Sequence, residues 1–183
     1  MNRKRYVFLD RDGTTCADKH FLSDPDGVEL LKGAVEGLRR MRDMGFGLVV
    51  VSNQSGVARG YFSAADVDRV NARLVELLAA EGVSLDGLFY CAHGPDDDCP
   101  CRKPRTGMVE QFASRNPFDP RECFVIGDRA TDIELGRNLG AGTILVRTGY
   151  GAEAAAAGLS ADHIADDLTE AATYLKERLS VKL

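Results

Sequence analysis

The stretch Tyr6-Val7-Phe8-Leu9-Asp10-Arg11-Asp12-Gly13-Thr14 runs four apolar residues straight into two carboxylates and a glycine. A run this short, rich in β-branched and aromatic residues, predicts a buried strand rather than a helix, and the Asp and Gly residues after it mark where the chain turns away. The pattern recurs along the chain. Leu48-Val49-Val50-Val51 runs into Ser52-Asn53-Gln54, and Phe124-Val125-Ile126 runs into Gly127-Asp128, while 88–90 and 143–146 are further apolar runs of strand length. Between these runs lie helical patterns. The clearest opens at Ser63, whose Ser-x-x-Asp66 spacing is a capping signal, and carries Val67, Val70, Leu74, Leu77 and Leu78 on one face before Gly82. Further helices are predicted over 35–44 with Gly45 as the stop, 108–114, 131–139 with Gly140 as the stop, and 168–179, whereas 152–157 reads as a loop or a short helix. Apolar strands alternating with helices specify an α/β protein with a doubly wound parallel sheet, whose ligands sit beyond the carboxyl ends of the strands.

The 183 residues suit a single core, so one domain over 1–183 is expected, with no disulfide staple needed. With 28 acidic against 23 basic side chains the net charge is −5, and the only basic block is the short Arg3-Lys4-Arg5 start, so nucleic acid is not an expected partner. No apolar run approaches the ~20 residues that span a bilayer, and the one after the basic start is too short for a signal peptide. A membrane partner is therefore not expected. Five cysteines, an odd number, point to a reducing compartment and a cytoplasmic address.

Residues i and i+2 of an extended chain project to the same side, which would bring Asp10 and Asp12 together at the crevice. Crowded carboxylates repel unless a cation joins them, and Mg²⁺, with its few hard oxygen ligands, suits the place. A turn rich in Asp and Gly is the plainer alternative for these two residues taken alone. A second cluster is independent of the first: Cys91-Ala92-His93, five residues, then Cys99-Pro100-Cys101. Three thiols and an imidazole at this spacing predict a Zn²⁺ loop over 91–101, and four protein ligands make the zinc structural rather than catalytic. Arg102 and Lys103 follow the last ligand directly, so the zinc would set where these two cations point. Cys16 and Cys123 fall outside the set and are expected as free thiols. His163 has no partner spacing, and His20 could lie near the crevice mouth.

The whole constellation resembles the haloacid-dehalogenase-like (HAD-like) phosphatases. Their Asp-x-Asp-Gly-Thr signature is matched by Asp10, Asp12, Gly13 and Thr14, and Ser52, Lys103 and Asp128 fill the other three motifs in order. The resemblance implies that Asp10 is the nucleophile, that Asp12 is general acid and base, and that Ser52 and Lys103 stabilise the phosphoryl group in transfer. It also implies Mg²⁺ held by Asp10, Asp128 and the backbone carbonyl of Asp12. Family members commonly carry Thr where Ser52 stands, and either hydroxyl can donate. For Asp132 two roles are open, orienting Lys103 or a metal-bound water and serving as an N-terminal helix acid. Within the family, a zinc-loop branch holds heptose 1,7-bisphosphate 7-phosphatases and histidinol-phosphatases. The stretches 52–60, 101–108 and 145–149 resemble the first group more. By this resemblance Arg11, Asp18, Lys19, His20, Phe21, Asn53, Gln54, Ser55, Arg102 and Arg129 line the substrate site, and the partner is a small phosphorylated sugar acted on by a monomer.

Only 41 residues lie between Asp10 and Ser52, and 50 between Ser52 and Lys103, which leaves no room for a large cap domain. An open crevice, covered by 16–26 and the zinc loop, is expected. Two readings outside enzymology compete: a receiver domain that merely accepts phosphate on Asp10, and an interaction module organised by zinc.

Overall fold

Six parallel strands form one sheet in the computed structural model, which describes residues 4–180; Arg3 of the basic start lies outside the described residues. In chain order the elements are β1 (Arg5–Leu9), α1 (Ala34–Asp43), β2 (Phe46–Asn53), α2 (Ala64–Ala80), β3 (Gly87–Cys91), α3 (Gly107–Ala113), β4 (Phe124–Gly127), α4 (Ala130–Leu139), β5 (Gly142–Val146), α5 (Gly151–Ala156), β6 (His163–Ala165) and α6 (Leu168–Ser180). The strand order is β3-β2-β1-β4-β5-β6, so the winding reverses between β1 and β4 and opens a crevice there.

Alternation along the strands sorts side chains into two apolar layers. Val7, Leu9, Leu48, Val50 and Ile126 join Leu38 and Met41 of α1, Leu74 and Leu78 of α2, and Leu175 of α6 in one core. Tyr6, Phe8, Val49, Val51 and Val125 join Met108 and Phe112 of α3 and Leu135 of α4 in the other. Each such side chain contributes roughly 1.5–3 kcal/mol on full burial, so the sheet is fixed from both faces. A close approach tightens the first layer: a Cβ on Gly37 of α1 would sit 2.3 Å from the Leu168 carbonyl oxygen of α6, a distance only glycine permits.

The five predicted strands and all predicted helices are present, with ends shifted by a residue or two apart from a longer β2. Residues 151–156 form the short helix. The addition is β6, three residues at the sheet edge, too short and too polar to show a strand pattern in the sequence. Among the described residues no helix is long and apolar enough to cross a membrane.

Register decides where the chemistry falls. Leu9 lies opposite Val50 on one side and Ile126 on the other, so Asp10, Ser52 and Asp128 fall at one end of the sheet within two residues of a common level.

Candidate active site

Asp10 opens the loop after β1 and is held on all sides. Its N–H donates to the Ile126 carbonyl at 3.0 Å, its carbonyl accepts from Thr15 Oγ1 at 2.9 Å, and its Oδ1 accepts from the Arg11 N–H at 2.8 Å. Lys103 Nζ donates to the same Oδ1 at 2.9 Å. Lys103 arrives from the far side of β2, and Asn53 fixes its backbone with a two-point clamp: Asn53 Nδ2 donates to the Lys103 carbonyl at 3.1 Å, and the Lys103 N–H donates to Asn53 Oδ1 at 3.0 Å. The ammonium, 2% exposed, also donates to the Val51 carbonyl at 2.8 Å and to Asp132 Oδ1 at 2.6 Å. Burial works against the charged lysine, but Asp10 and Asp132 prevail and hold it above the usual lysine range.

Asp132 combines the two roles left open by its position. Its Oδ1 takes Lys103, while its Oδ2 accepts from the Arg129 N–H at 3.1 Å in the first turn of α4. Burial pushes its carboxyl up to about 6, with Lys103 opposing.

Asp12 and Ser52 are joined through Gln54, whose Nε2 donates to Asp12 Oδ2 at 2.8 Å and to Ser52 Oγ at 2.7 Å. Burial raises the Asp12 carboxyl above the ordinary range, against the pull of the adjacent Arg11. A carboxyl shifted this way is better suited to donate a proton near neutral pH.

Asp128, after β4, has its Oδ2 bonded to the Tyr150 N–H at 2.8 Å, while its buried Oδ1 has no hydrogen-bond partner among the described residues. Burial, followed by the charge of Asp10, pushes it up to about 7. Gly13, in the left-handed region at φ +81°, and Gly149 crowd this carboxylate: a Cβ on either would fall within 2.3 Å of Oδ2. Carboxylate oxygens of Asp10, Asp128 and Asp132 lie within 4.8 Å of one another. An orphaned oxygen in such a cluster, walled by glycines, fits a hard divalent cation. Because both oxygens of Asp132 are engaged, Asp10 and Asp128 are the carboxylates left to bind one.

The second cluster assembles as its spacing predicts. Cys91 ends β3, and its Sγ lies 3.5 Å from His93 Nδ1, 3.6 Å from Cys99 Sγ and 3.0 Å from Cys101 Sγ. Cys101 Sγ is 3.3 Å from His93 Nδ1 and 3.7 Å from Cys99 Sγ. The edge of a tetrahedron with zinc–sulfur bonds of ~2.3 Å is roughly 3.7 Å, so the four donors fit that ion. Cys91 and Cys99 also pack against the α3 core layer, which ties the loop to the sheet.

Around these groups lies a crevice of about 260 Å³ lined by Asp10, Asp12, Asp18, His20, Phe21, Leu22, Ser52, Asn53, Gln54, Ser55, Arg102, Lys103, Arg129 and Thr131. Most residues expected at the substrate site are therefore brought together. Two are not: Lys19 pairs with Glu29 at 2.9 Å, and Arg11 turns inward to Asp12 and Asn71. On the rim, Asp18 accepts from Arg129 Nη2 at 2.9 Å, and Arg102 donates to the His93 carbonyl. Tyr150 was missed by the sequence reading. Its ring lies 4.0 Å from the Arg129 guanidinium and its hydroxyl 3.2 Å from His20 Nδ1. The only signal was its place in the loop after β5, at the same end of the sheet as the motifs. Leu22, which does line the crevice, belongs to the covering segment 16–26, and Thr131 lines it from the motif that follows β4.

The family model described as HAD-hydrolase-like matches residues 100–171. The chain is 36% identical over 179 residues to the D-glycero-beta-D-manno-heptose-1,7-bisphosphate 7-phosphatase of Haemophilus influenzae, covering 93% of this chain and 96% of that protein. It is 39% identical over 153 residues to the Pasteurella multocida enzyme of the same name, covering 80% of this chain and 83% of the other. Among solved structures, the D,D-heptose 1,7-bisphosphate phosphatase of B. bronchiseptica, complexed with magnesium and phosphate, superposes with a TM-score of 0.87 at 33% identity, covering 95% of this chain and 99% of that one.

Proposed function

The chain belongs to the HAD-like hydrolase family of the heptose 1,7-bisphosphate 7-phosphatases, and from that premise we propose that it removes the 7-phosphate of D-glycero-D-manno-heptose 1,7-bisphosphate. The observation that carries the chemistry is the placement of the Asp10 carboxylate against buried Lys103, beside Asp128, in an open crevice at the end of the sheet.

In this reading an Asp10 oxygen attacks phosphorus and the bond from phosphorus to the sugar oxygen breaks, leaving an aspartyl phosphate. Asp12 gives its proton to the departing alkoxide. It then takes a proton from a water molecule whose oxygen attacks the same phosphorus, which frees inorganic phosphate and restores Asp10. Ser52 donates its hydroxyl hydrogen to a phosphoryl oxygen, and Lys103 balances charge on the equatorial oxygens. Asp10, Asp128 and the Asp12 backbone carbonyl would hold Mg²⁺, which offsets the repulsion between an anionic nucleophile and an anionic phosphate. Cys91, His93, Cys99 and Cys101 would hold a structural Zn²⁺ that fixes the approach of Arg102 and Lys103 to the crevice. Asp18, His20, Phe21, Ser55, Arg102 and Arg129 would meet the substrate. Arg102 and Arg129 supply the cations for its second phosphate, with Tyr150 supporting Arg129. One domain acting as a cytoplasmic monomer completes the reading.

The test is a comparison of kcat/KM for heptose 1,7-bisphosphate and histidinol phosphate. The bisphosphate is expected to be the better substrate, because the amine of histidinol phosphate would meet Arg102 and Arg129. Faster turnover of histidinol phosphate would reject the substrate while leaving the phosphatase chemistry standing.

A further inference from the structure

Arg11 is among the largest fully buried side chains, 1% exposed, and does not line the crevice. Its fork lies across the Asp12 carboxylate, with Nε 3.0 Å from Oδ2 and 3.2 Å from Oδ1, and Nη2 2.9 Å from Oδ2 and 3.1 Å from Oδ1. The remaining nitrogen, Nη1, donates to Asn71 Oδ1 at 2.8 Å. Asn71 is 7% exposed and sits in the middle of α2, where the other buried residues are Val67, Val70, Leu74 and Leu78. A carboxamide at that place is a poorer helix former than leucine and a poorer core residue, so its hydrogen bond with Arg11 is the physical reason for it. Asp12 Oδ2 also accepts from Gln54 Nε2, which donates in turn to Ser52 Oγ.

We propose that Asn71 and Arg11 are positioning residues for the reaction: Asn71, from α2, fixes the Arg11 fork, and the fork fixes the direction in which Asp12 presents its carboxyl group to the leaving oxygen. The inference rests on Asp12 serving as acid and base. A proton donor works only within about 2.6–3.2 Å of its acceptor, so the orientation of this side chain has to be set before substrate arrives. Asp12 lies two residues past the nucleophile, in the loop after β1, and its side chain is 19% exposed, so packing alone does not set it. A bidentate guanidinium fixes both oxygens in a plane, and a guanidinium with its own outer nitrogen anchored cannot swing away.

The experiment uses leaving groups that differ in their need for a proton. Heptose 1,7-bisphosphate expels an alkoxide, which must be protonated; p-nitrophenyl phosphate expels a stabilised phenolate, which need not be. Asn71→Leu is expected to slow single-turnover cleavage of the bisphosphate by roughly tenfold to a hundredfold, the scale of a catalytic group displaced by about 1 Å, with KM and the nitrophenolate burst changed by less than about twofold. Asn71→Asp, which keeps an acceptor in place, is expected to retain most of the rate. Arg11→Lys, which keeps the charge and loses the fork, is expected to repeat the selective loss and stands in if Asn71→Leu does not melt cooperatively. Equal losses on both substrates, or full activity in folded Asn71→Leu or Arg11→Lys, would overturn the proposal. Asp12→Asn separates the two levels. If it lacks the leaving-group dependence, the role given to Asp12 falls; if it has that dependence and the Asn71 and Arg11 variants do not, only the positioning pair falls.

Discussion

Replacing Lys103 by Met keeps most of the buried stem and removes the ammonium that bridges Asp10 and Asp132 at 2.9 and 2.6 Å. Breaking a buried pair by deleting one partner costs roughly 3–5 kcal/mol, because the remaining charge is left uncompensated. At roughly 2–4 °C per kcal/mol for a chain of this length, Tm should fall by about 10 °C near neutral pH. The loss has a diagnostic pH dependence. Asp132 already sits at about 6 through burial, with Lys103 opposing, so without Lys103 it rises further above its unfolded value. The folded variant then holds a proton that the unfolded chain has released, and its stability falls as pH rises through that window. Thermal unfolding of chelator-treated protein followed by circular dichroism at about pH 5 and about pH 8 should find a small deficit at the lower value and the full deficit at the higher. Adding Asp132→Asn to Lys103→Met should recover part of it, the signature of a coupled pair. An equal deficit at both pH values would assign the loss to packing, and a drop under about 3 °C would mean that the cation does not compensate its partners.

Asp10→Asn should fold and lose turnover entirely, whereas Asp12→Asn should lose at least the ~10²–10⁴ associated with acid–base catalysis; phosphate release assays decide both. Elemental analysis should find one zinc per chain, and Cys99→Ser should lose it together with activity through a displaced Lys103; full activity in zinc-free protein would contradict the loop's role. Asp128 is raised to about 7 by burial and by Asp10, above its unfolded value, so chelated protein should lose stability as pH rises between about 4 and about 7. Magnesium binds the ionised form and should therefore raise Tm more at about pH 7.5 than at about pH 5; equal stabilisation at both would refute Asp128 as a ligand.

The strands were legible because short apolar runs of three or four residues recur between helical patterns, and α2 because Ser63 and Asp66 form the reciprocal cap that their spacing announces. The Cys91, His93, Cys99 and Cys101 cluster was legible because its spacing is local. What escaped depends on contacts between distant segments. Nothing near Tyr150 says that its ring will lie under Arg129, and nothing near Asn71 says that a guanidinium sixty residues earlier will need an acceptor. Asn53 lines the crevice, and its carboxamide also clamps the Lys103 backbone, a second role that no local pattern announces. Arg11 stands between two crevice residues in the chain, yet its guanidinium is buried against Asp12 and Asn71.

The common level of Leu9, Val50 and Ile126 determines which insertions and deletions this chain can absorb. A residue gained in the loop after α1 changes only the length of a crossover, for which loop closure costs little. One gained inside β1, β2 or β4 carries the following motif about 3.3 Å along the sheet and turns its side chain to the opposite face. Natural length variation should consequently gather in the crossovers, while the intervals from Leu9 to Asp10, from Val50 to Ser52 and from Ile126 to Asp128 behave as a fixed ruler.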